Sequence, residues 1–467
     1  MSRMEKNFRE FAVSRLGASH LKSGKPCQDS SLSWRSDDDN CFAVVVADGH
    51  GGDTYVRSDI GARIAVEVAL VHIKEAITNP RFITLIKGRK GAVTARPDGP
   101  RRIPKDPAER TTIQQELIRQ DHLFFQQVSS IKEQDSFFQD MFGSIVREWS
   151  KRILQDNIDN PFTDSEKLYL GSNRIEKAYG STLMAFAMTP EFWMAFHLGD
   201  GKMLMSDYTG QWSEPVPWDC NCFLNITTSL CNSNPVNSFR YAFDATGKIP
   251  AAVMMGSDGM DDSWGTMDNL KDFYSKVLSI FYEDEKEKTS FEKTKEDLGD
   301  YLTRLSAQGS RDDMTMAGII DMSKLGTMCG ISQLRHQGKL LKEQRDSLDR
   351  EFKKLQQAKD QELSDMQKDY ESKFIIFKQE CEKKIEERKL EIIAELNGRK
   401  EEIEKEKRSL RDKYSLLKEQ AENLKLEAIQ KEEANNTIVK ILDDSQMSLN
   451  KGEINNEGEI DLKPIID

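Results

Sequence analysis

The sequence predicts one large unit of mixed strands and helices over residues 1–325, followed by a long helical coiled coil. Two observations predict this organisation. Before residue 325, short apolar runs of strand length alternate with amphipathic helical patterns. After Gly330 the chain becomes rich in Lys, Glu and Gln, and residues 339–430 contain no proline and a single glycine, Gly398.

The strands and helices of the first unit follow from these runs in chain order. The strand-like runs are 41–47, 181–188, 192–198, 202–206, 251–256 and 314–320. The helical patterns are 55–78, about 110–156, and 267–281. Residues 87–107 lie between the first two helical patterns and are rich in proline, glycine and basic residues, which predicts an exposed loop.

The coiled coil is predicted over residues 332–432. Apolar residues recur seven apart on two stretches, which are Leu341, Leu348, Leu355 and then Ile403, Leu410, Leu417, Leu424. A continuous rod of this length would extend on the order of 140 Å. An apolar seam needs a partner, so we expect a dimer or a docked helical partner; a solvated single helix is the alternative. Residues 433–467 are polar and acidic, which predicts a disordered tail.

The bulk composition excludes several classes of protein. The net charge of −12 argues against a nucleic-acid-binding protein, and no apolar run is long enough to cross a membrane. The first residues lack the apolar segment of a signal peptide, and the seven cysteines are scattered, so we expect a cytoplasmic protein. Cys220, Cys222 and Cys231 suggest a soft-metal site, but no fourth ligand has a zinc-like spacing, and buried thiols are the better interpretation.

Acidic residues recur at the ends of the apolar runs. Asp48, Asp200 and Asp258 each follow such a run and precede a glycine, and Asp312-Asp313 precede the last run. If these strands lie side by side, the carboxylates gather at one edge and raise each other's pKa unless a cation neutralises them. Oxygen ligands select Mg²⁺ or Mn²⁺, and a pair of such ions activates water for phosphoryl transfer.

Each acid also has a plainer interpretation. Asp-Gly is a common turn dipeptide, so Asp200-Gly201 also fits a hairpin turn. Asp258 opens a helical stretch and also fits an N-cap. Asp48 is harder to explain in this way, because it begins Asp48-Gly49-His50-Gly51-Gly52. His50 beside a metal-bound water fits a proton donor, although a lone histidine is usually structural.

Six ordered blocks carry a resemblance to a known family. They are GKPCQD (24–29), ADGHGG (47–52), YGSTLMAF (179–186), LGDGK (198–202), SDGMDD (257–262) and GSRDDMT (309–315). Over residues 10–322 the chain resembles the metal-dependent serine/threonine protein phosphatases (PPM, or type 2C), most of all the bacterial branch. The resemblance implies an α+β fold, a two-sheet antiparallel β-sandwich flanked by helices in four α-β-β-α layers. The coiled coil is not covered.

The resemblance also implies an activity and a set of site residues. Water held at two Mg²⁺ or Mn²⁺ ions would directly hydrolyse the phosphate esters of phosphoserine and phosphothreonine in proteins. A third ion would bind more weakly. Asp48 is implied to bridge the two ions. The other implied ligands are the Gly49 carbonyl, Asp258, Asp312, Gln28 and Asp29, with Asp200 as a ligand of the third ion. His50 is implied as the general acid toward the leaving oxygen, and the insertion 207–250 as a flap over the substrate. Bacterial relatives often oppose a serine/threonine kinase, which implies such a partner.

The chain departs from the family pattern at several positions. Where many members carry a phosphate-binding arginine this chain has Gly24, so Lys25, Lys22 or His20 would take that role. Gln28 replaces a common glutamate, and Asp313 a common asparagine. The missing arginine leaves an alternative function open: a catalytically weak phosphatase-like module that acts as a coiled-coil scaffold or sensor.

Overall fold

The computed structural model describes residues 7–96, 107–219, 222, 227–372 and 378–447. The chain divides into two compact units, residues 1–336 and 337–467.

The first unit contains two antiparallel β-sheets. The smaller sheet has the strand order β1-β11-β10-β7-β8, and the larger has the order β2-β3-β5-β6-β9-β4. The strands are β1 (Phe8–Arg15), β2 (Ser30–Arg35), β3 (Phe42–Ala47), β4 (Lys90–Val93), β5 (Leu183–Met188), β6 (Trp193–Leu198), β7 (Lys202–Ser206), β8 (Trp212–Ser213), β9 (Arg240–Asp244), β10 (Ala252–Gly256) and β11 (Met314–Asp321).

Helices cover the outer face of each sheet. On the larger sheet lie α2 and α5, and on the smaller sheet α9 and α10. The helices are α1 (Ala18–Ser23), α2 (Ser58–Thr78), α3 (Pro80–Ile86), α4 (Pro107–Ser130), α5 (Lys132–Asp159), α6 (Asp164–Leu170), α7 (Ile175–Ala178), α8 (Asp258–Trp264), α9 (Met267–Lys286), α10 (Phe291–Gln308), α11 (Met322–Ser372) and α12 (Lys378–Met447), with a short 3-10 helix at Pro235–Ser238.

The central strands explain why the sequence has uninterrupted apolar runs. Along β3, Val44 and Val46 point into the core between the sheets, whereas Ala43, Val45 and Ala47 face the helices. Both faces of the strand are therefore covered, and every residue of β3 is buried. A strand covered on both faces needs apolar residues throughout. The two sheets and two helical layers confirm the predicted four-layer sandwich.

Two of the predicted elements need correction. The stretch 110–156 is two helices, because the backbone leaves the helical region at Ile131 (φ −138°, ψ 39°) and buries its side chain in the core. Within the predicted loop 87–107, residues Lys90–Val93 form β4, which pairs with β9. Four residues that include Gly91 are too few to show a strand pattern. Residues 97–106 of that loop lie outside the described residues.

The second unit contains two antiparallel helical segments. Ion pairs join them in descending register: Asp349 with Lys407, Glu351 with Arg399 (3.2 Å), Lys359 with Glu395 (3.1 Å) and Glu362 with Arg388 (3.0 Å). Because the two segments run antiparallel, the chain does not form the rod of about 140 Å that a continuous coiled coil would give. α12 runs to Met447, past the predicted boundary at 432, and residues 448–467 lie outside the described residues.

None of the predicted heptad residues whose side chains the structure describes is exposed. Ile403 and Leu410 are buried, and Leu341, Leu348 and Leu355 are half-buried. The seam therefore finds its apolar partner within the same chain, so it does not by itself require the predicted dimer. Lys407, also buried, is paired with Asp349 and, at 3.1 Å, with Glu404. A buried polar residue in a seam favours one register over the others.

The pairing of Lys407 with Asp349 is testable by charge exchange. Lys407→Glu places two acids together in the seam, so we expect the helical signal in circular dichroism to melt earlier, with a loss on the order of 2 kcal/mol. The double variant Asp349→Lys/Lys407→Glu should recover most of that loss. Lys405→Glu, on the exposed face of α12, is the matched control and should change little. Equal melting of Lys407→Glu and the control would contradict the assigned register.

Candidate active site

Acidic side chains from both sheets meet at one edge of the sandwich. Asp48 follows β3 and Asp200 follows β6, both in the larger sheet; Asp258 follows β10 in the smaller sheet. The turn at Asp200 leads from β6 in one sheet to β7 in the other, so it does not close a hairpin within a sheet. The strand ends from two sheets therefore converge, as the sequence predicts.

The carboxyl groups interact strongly with one another. Asp48 and Asp258 share a hydrogen bond. Burial raises the pKa of Asp48 well above its usual range, and the charges of Asp258, Asp29 and Asp200 raise it further. Burial also raises the pKa of Asp258 to about 6. The hydrogen bond from Asp48 lowers this pKa, whereas the charges of Asp200 and Asp312 raise it. Burial likewise raises the pKa of Asp200. The edge thus concentrates desolvated negative charge.

The segment that precedes β2 adds two more oxygen-bearing side chains. Gln28 and Asp29 are buried, and Gln28 Nε2 donates hydrogen bonds to Ser58 Oγ (2.6 Å) and the His50 carbonyl (3.2 Å). Burial and the charge of Asp313 raise the pKa of Asp29. Gln28 Oε1 and Asp29 Oδ2 are buried and have no hydrogen-bond partner in the described part of the chain. Buried oxygens of this kind usually have a ligand, often water or an ion.

Glycine at position 49 is required by close packing. A Cβ atom there would lie 2.5 Å from the Gln28 carbonyl oxygen and 2.6 Å from that of Ser58. The Gly49 N–H donates to the same Gln28 carbonyl at 3.1 Å. The backbone after Asp48 is therefore fixed between the Gln28 segment and α2.

Asp312 and Asp313 have different environments. The Asp312 side chain is 53% exposed, whereas that of Asp313 is buried. Asp313 accepts hydrogen bonds from the backbone N–H groups of Gly17 and Gln28, both at 2.6 Å. Its Oδ2 atom also lies 3.0 Å from His20 Nδ1. Asp313 therefore ties the segment 17–29, which carries the candidate ligands Gln28 and Asp29, to the start of β11.

The residues predicted to bind phosphate are placed unequally. Lys25 is exposed and donates from Nζ to the Gly51 carbonyl at 3.1 Å, next to His50. Lys22 is exposed on α1, and His20 is buried against Asp313. Gly24 ends α1 with a φ of 71°, a left-handed conformation that glycine adopts without strain, which gives a structural reason for its presence there.

His50 lies half-buried beside an aromatic ring. Its backbone N–H donates to the Gly180 carbonyl at 3.1 Å, and its ring meets that of Tyr55 edge-on at 4.7 Å between centroids. Burial, with the nearby charge of Lys177, lowers the pKa of His50 to about 4. The free imidazole is therefore neutral at pH 7.

The region 207–250 is only partly the flap that the resemblance implies. Arg240–Asp244 forms β9, an interior strand of the larger sheet. The buried Arg240 guanidinium donates to the carbonyls of Gly199 (2.6 Å) and Pro217 (3.0 Å), and Cys222 Sγ lies 3.2 Å from the same Gly199 oxygen. Arg240 thus holds the turn that carries Asp200. Residues 220–221 and 223–226 lie outside the described residues.

The suggested soft-metal site receives no structural support from the residues that are described. Cys222 and Cys231 are buried free thiols, and Cys231 Sγ lies 3.3 Å from Ser229 Oγ. Burial raises the pKa of both thiols, which disfavours the thiolate form that a soft metal needs. Cys220 is outside the described residues.

A family profile described as Protein phosphatase 2C matches residues 16–303. The chain is a member of the protein phosphatase 2C family. No match was found among curated proteins. In the described part of this phosphatase-family chain, no helix is both long and apolar enough to cross a bilayer.

Three solved structures that match this chain are distant from it in sequence. PppA, a key regulatory component of T6SS in Pseudomonas aeruginosa, is 16% identical, with 67% of this chain and 97% of that chain covered and a TM-score of 0.36. The S. agalactiae serine/threonine phosphatase is 15% identical (67% and 99% covered, TM-score 0.34). Stp1 from Staphylococcus aureus is 11% identical (68% and 97% covered, TM-score 0.36). The family assignment rests on the profile match.

The tether at Asp313 yields a stability prediction. Asp313→Ala leaves two buried backbone N–H groups unpaired, so we expect a loss of about 2–4 kcal/mol in the free energy of unfolding. Asp313→Asn keeps one acceptor and should lose less. All six tryptophans precede residue 330, so denaturation followed by tryptophan fluorescence reports on the first unit. Exposed Asp37→Ala is the control. An unchanged midpoint for Asp313→Ala would show that the tether is not needed.

The acidic edge yields a prediction about pH. Because the pKa of Asp258 is about 6 when folded against 3.8 otherwise, the folded state binds this proton more tightly. Without divalent cations, the first unit should therefore lose stability as the pH rises from about 4 to 6, by about 3 kcal/mol at pH 7.

Removal of one carboxyl group from the acidic edge should restore part of the stability that is lost as the pH rises. Asp48→Asn should raise the thermal midpoint of the cation-free protein at pH 7 and flatten its dependence on pH. Asp53→Asn, an exposed residue of the same loop, is the matched control and should leave both unchanged. Stability that increases between pH 4 and 6 in the parent chain would contradict a raised pKa for the Asp258 carboxyl group.

Proposed function

We propose that this chain is a divalent-cation-dependent phosphatase that hydrolyses phosphoserine and phosphothreonine in proteins. The observation that supports this proposal most strongly is the acidic edge. There Asp48, Asp258, Asp200 and Asp29 crowd together beside His50. Membership of the protein phosphatase 2C family supports the reaction type. The crowded charge supports the cation dependence, since the carboxylates destabilise the fold unless they are neutralised.

The donor set fits Mg²⁺ or Mn²⁺. All candidate ligands are oxygens, and two of them, Gln28 Oε1 and Asp29 Oδ2, are buried and unpaired in the described part of the chain. Over the described residues, no three His, Cys, Asp or Glu side chains form a ready-made metal site. Water and the Gly49 carbonyl would therefore complete the coordination, as Mg²⁺ usually keeps several waters.

The proposed ligands divide between the ions as the family resemblance implies. Asp48 would bridge two ions, and Asp258 and Asp312 would complete the first. Gln28 and Asp29 would hold the second through water, and Asp200 with Asp258 a weaker third. When bound, such ions supply an activated water and neutralise the phosphoryl oxygens.

The protein residues around the edge have distinct proposed roles. Lys25, anchored at the Gly51 carbonyl, is the proposed phosphate-binding cation in place of the absent arginine. Lysine is a point charge that binds without the two-pronged geometry of arginine. His50 is the proposed proton donor to the leaving serine or threonine oxygen. Because its pKa is about 4 in the free chain, the substrate phosphate must raise that pKa by Coulomb attraction before His50 can act.

The proposed function also implies a substrate class, a partner and a cellular location. Phosphorylated proteins are the substrates, and an opposing serine/threonine kinase is the implied partner. The five cysteines whose side chains the structure describes are free thiols, in keeping with the proposed cytoplasmic location. The second unit, an antiparallel helical pair, offers an exposed charged surface to a helical partner or a second copy.

Cation-dependent turnover is the direct test. The full chain with Mn²⁺ should release phosphate from a phosphoserine peptide, and excess chelator should stop it. Asp48→Asn should reduce kcat/KM by at least about 10³-fold, since it removes the bridging ligand. Asp53→Asn is the matched control and should retain full activity.

The opposite result would favour the alternative function. A parent chain that binds Mn²⁺ in calorimetry but releases no phosphate from any phosphopeptide would favour a scaffold or sensor. Turnover that persists in excess chelator would contradict the cation-dependent mechanism itself.

A further inference from the structure

Two side chains, Tyr55 and Lys177, lead away from the candidate proton donor His50. The Tyr55 ring meets the His50 ring edge-on, with 4.7 Å between centroids and an interplanar angle of 66°. On its other side, the Tyr55 hydroxyl is hydrogen-bonded to Lys177 Nζ. The same ammonium group lies 4.2 Å from the Tyr55 ring centroid. Tyr55 therefore stands between the imidazole and a fixed cation.

The backbone around these side chains is shaped to hold the two rings. A Cβ atom at Gly180 would lie 2.6 Å from Tyr55 Cδ1 and Cε1 and 2.8 Å from His50 Cδ2. Only glycine leaves room for both rings at this point. The Gly180 carbonyl accepts the His50 N–H at 3.1 Å, so the backbone that makes room for the rings also anchors His50.

Lys177 has no acidic partner that would explain its position. It is half-buried, and it forms no ion pair with a carboxylate in the described part of the chain. Its ammonium group is instead committed to the hydroxyl and the ring face of Tyr55. The hydrogen bond to the hydroxyl and the attraction between the cation and the ring restrain both side chains.

We propose that Tyr55 and Lys177 are positioning residues that fix the His50 imidazole for proton donation. This inference rests on the proposed phosphatase function. Lys177 restrains the Tyr55 hydroxyl, and the restrained ring forms a wall that limits rotation of His50. A proton donor must lie within hydrogen-bond reach of the leaving oxygen, so a loose imidazole would donate poorly even where substrate binding is intact.

The choice of leaving group separates positioning from other roles. An alkoxide leaving from phosphoserine needs a proton, whereas 4-nitrophenolate leaves readily without one. Loss of His50 positioning should therefore slow the phosphopeptide and spare 4-nitrophenyl phosphate. A defect in cation binding or folding would slow both substrates alike.

The test compares kcat and KM for both substrates, with Mn²⁺, in variants of the full chain. Lys177→Met and Tyr55→Leu should lower kcat for a phosphoserine peptide by about 10- to 100-fold, with KM and the rate on 4-nitrophenyl phosphate changed less than about threefold. Lys177→Arg should restore most of the rate. When His50→Gln is already present, adding Lys177→Met or Tyr55→Leu should not lower kcat further, because the three residues act as a unit. Lys167→Met and Tyr169→Leu, both exposed on α6, are the matched controls.

Three results would overturn the proposal. Equal losses of kcat on both substrates would mean that Tyr55 and Lys177 support the fold and do not position His50. A rise in KM with kcat unchanged would make Lys177 a substrate-binding residue. Unchanged kinetics would remove any role for the pair.

A readout that does not depend on turnover separates this proposal from the proposed function. The chain contains six histidines, so the His50 ring is assignable by NMR of ¹³C-histidine-labelled protein. We expect one narrow ring signal in the parent, and a shifted or broadened one in Lys177→Met and Tyr55→Leu. An unchanged His50 signal would refute positioning even if the parent chain were inactive.

Discussion

Mutual repulsion among desolvated carboxylates is the constraint on which the first unit depends. Asp48 from one sheet and Asp258 from the other share a hydrogen bond although both are acids, and burial raises the pKa of each. A fold stabilises such a contact only when the surrounding core is strong enough to hold it. Here the apolar core between the sheets, filled by Val44, Val46 and Met255, fixes the strand ends on which the acids stand. The site is thus strained before any ligand binds.

A second set of contacts keeps the loops at this edge in register with the strands. Asp313 binds two backbone N–H groups of the segment 17–28, and Arg240 binds the Gly199 carbonyl beside Asp200. Each is a buried charge with hydrogen-bond partners on loop backbone, which is a strong and directional arrangement. Neither residue stands among the acids predicted as ligands. They set where those acids lie, so their loss would act on the site through geometry.

Part of the candidate site is encoded locally in the sequence. Asp48, Asp200 and Asp258 each follow an apolar run and precede glycine, and that pattern is readable without tertiary information. β2 was missed because all its residues are half-buried and four of the six are polar or charged. β4 was missed because four residues show no period. Tyr55 and Lys177 were missed for another reason: they are 122 residues apart, and only the folded chain brings them together. The reversal between α11 and α12 also depends on tertiary pairing, since heptads specify a seam but not whether its partner is in the same chain.

The two units use charge in opposite ways. In the first unit, like charges are held together at the acidic edge, and stability there depends on protonation or on a neutralising cation. In the second unit, oppositely charged residues pair across the two helices, as Glu351 does with Arg399. Among the residues of these ion pairs, only Lys407 is buried. Exposed pairs of this kind contribute little each, so the apolar seam with Ile403 and Leu410 carries most of that unit's stability. It follows that a neutralising cation would act directly on the stability of the first unit, because the described residues of the second hold no comparable excess of buried like charge.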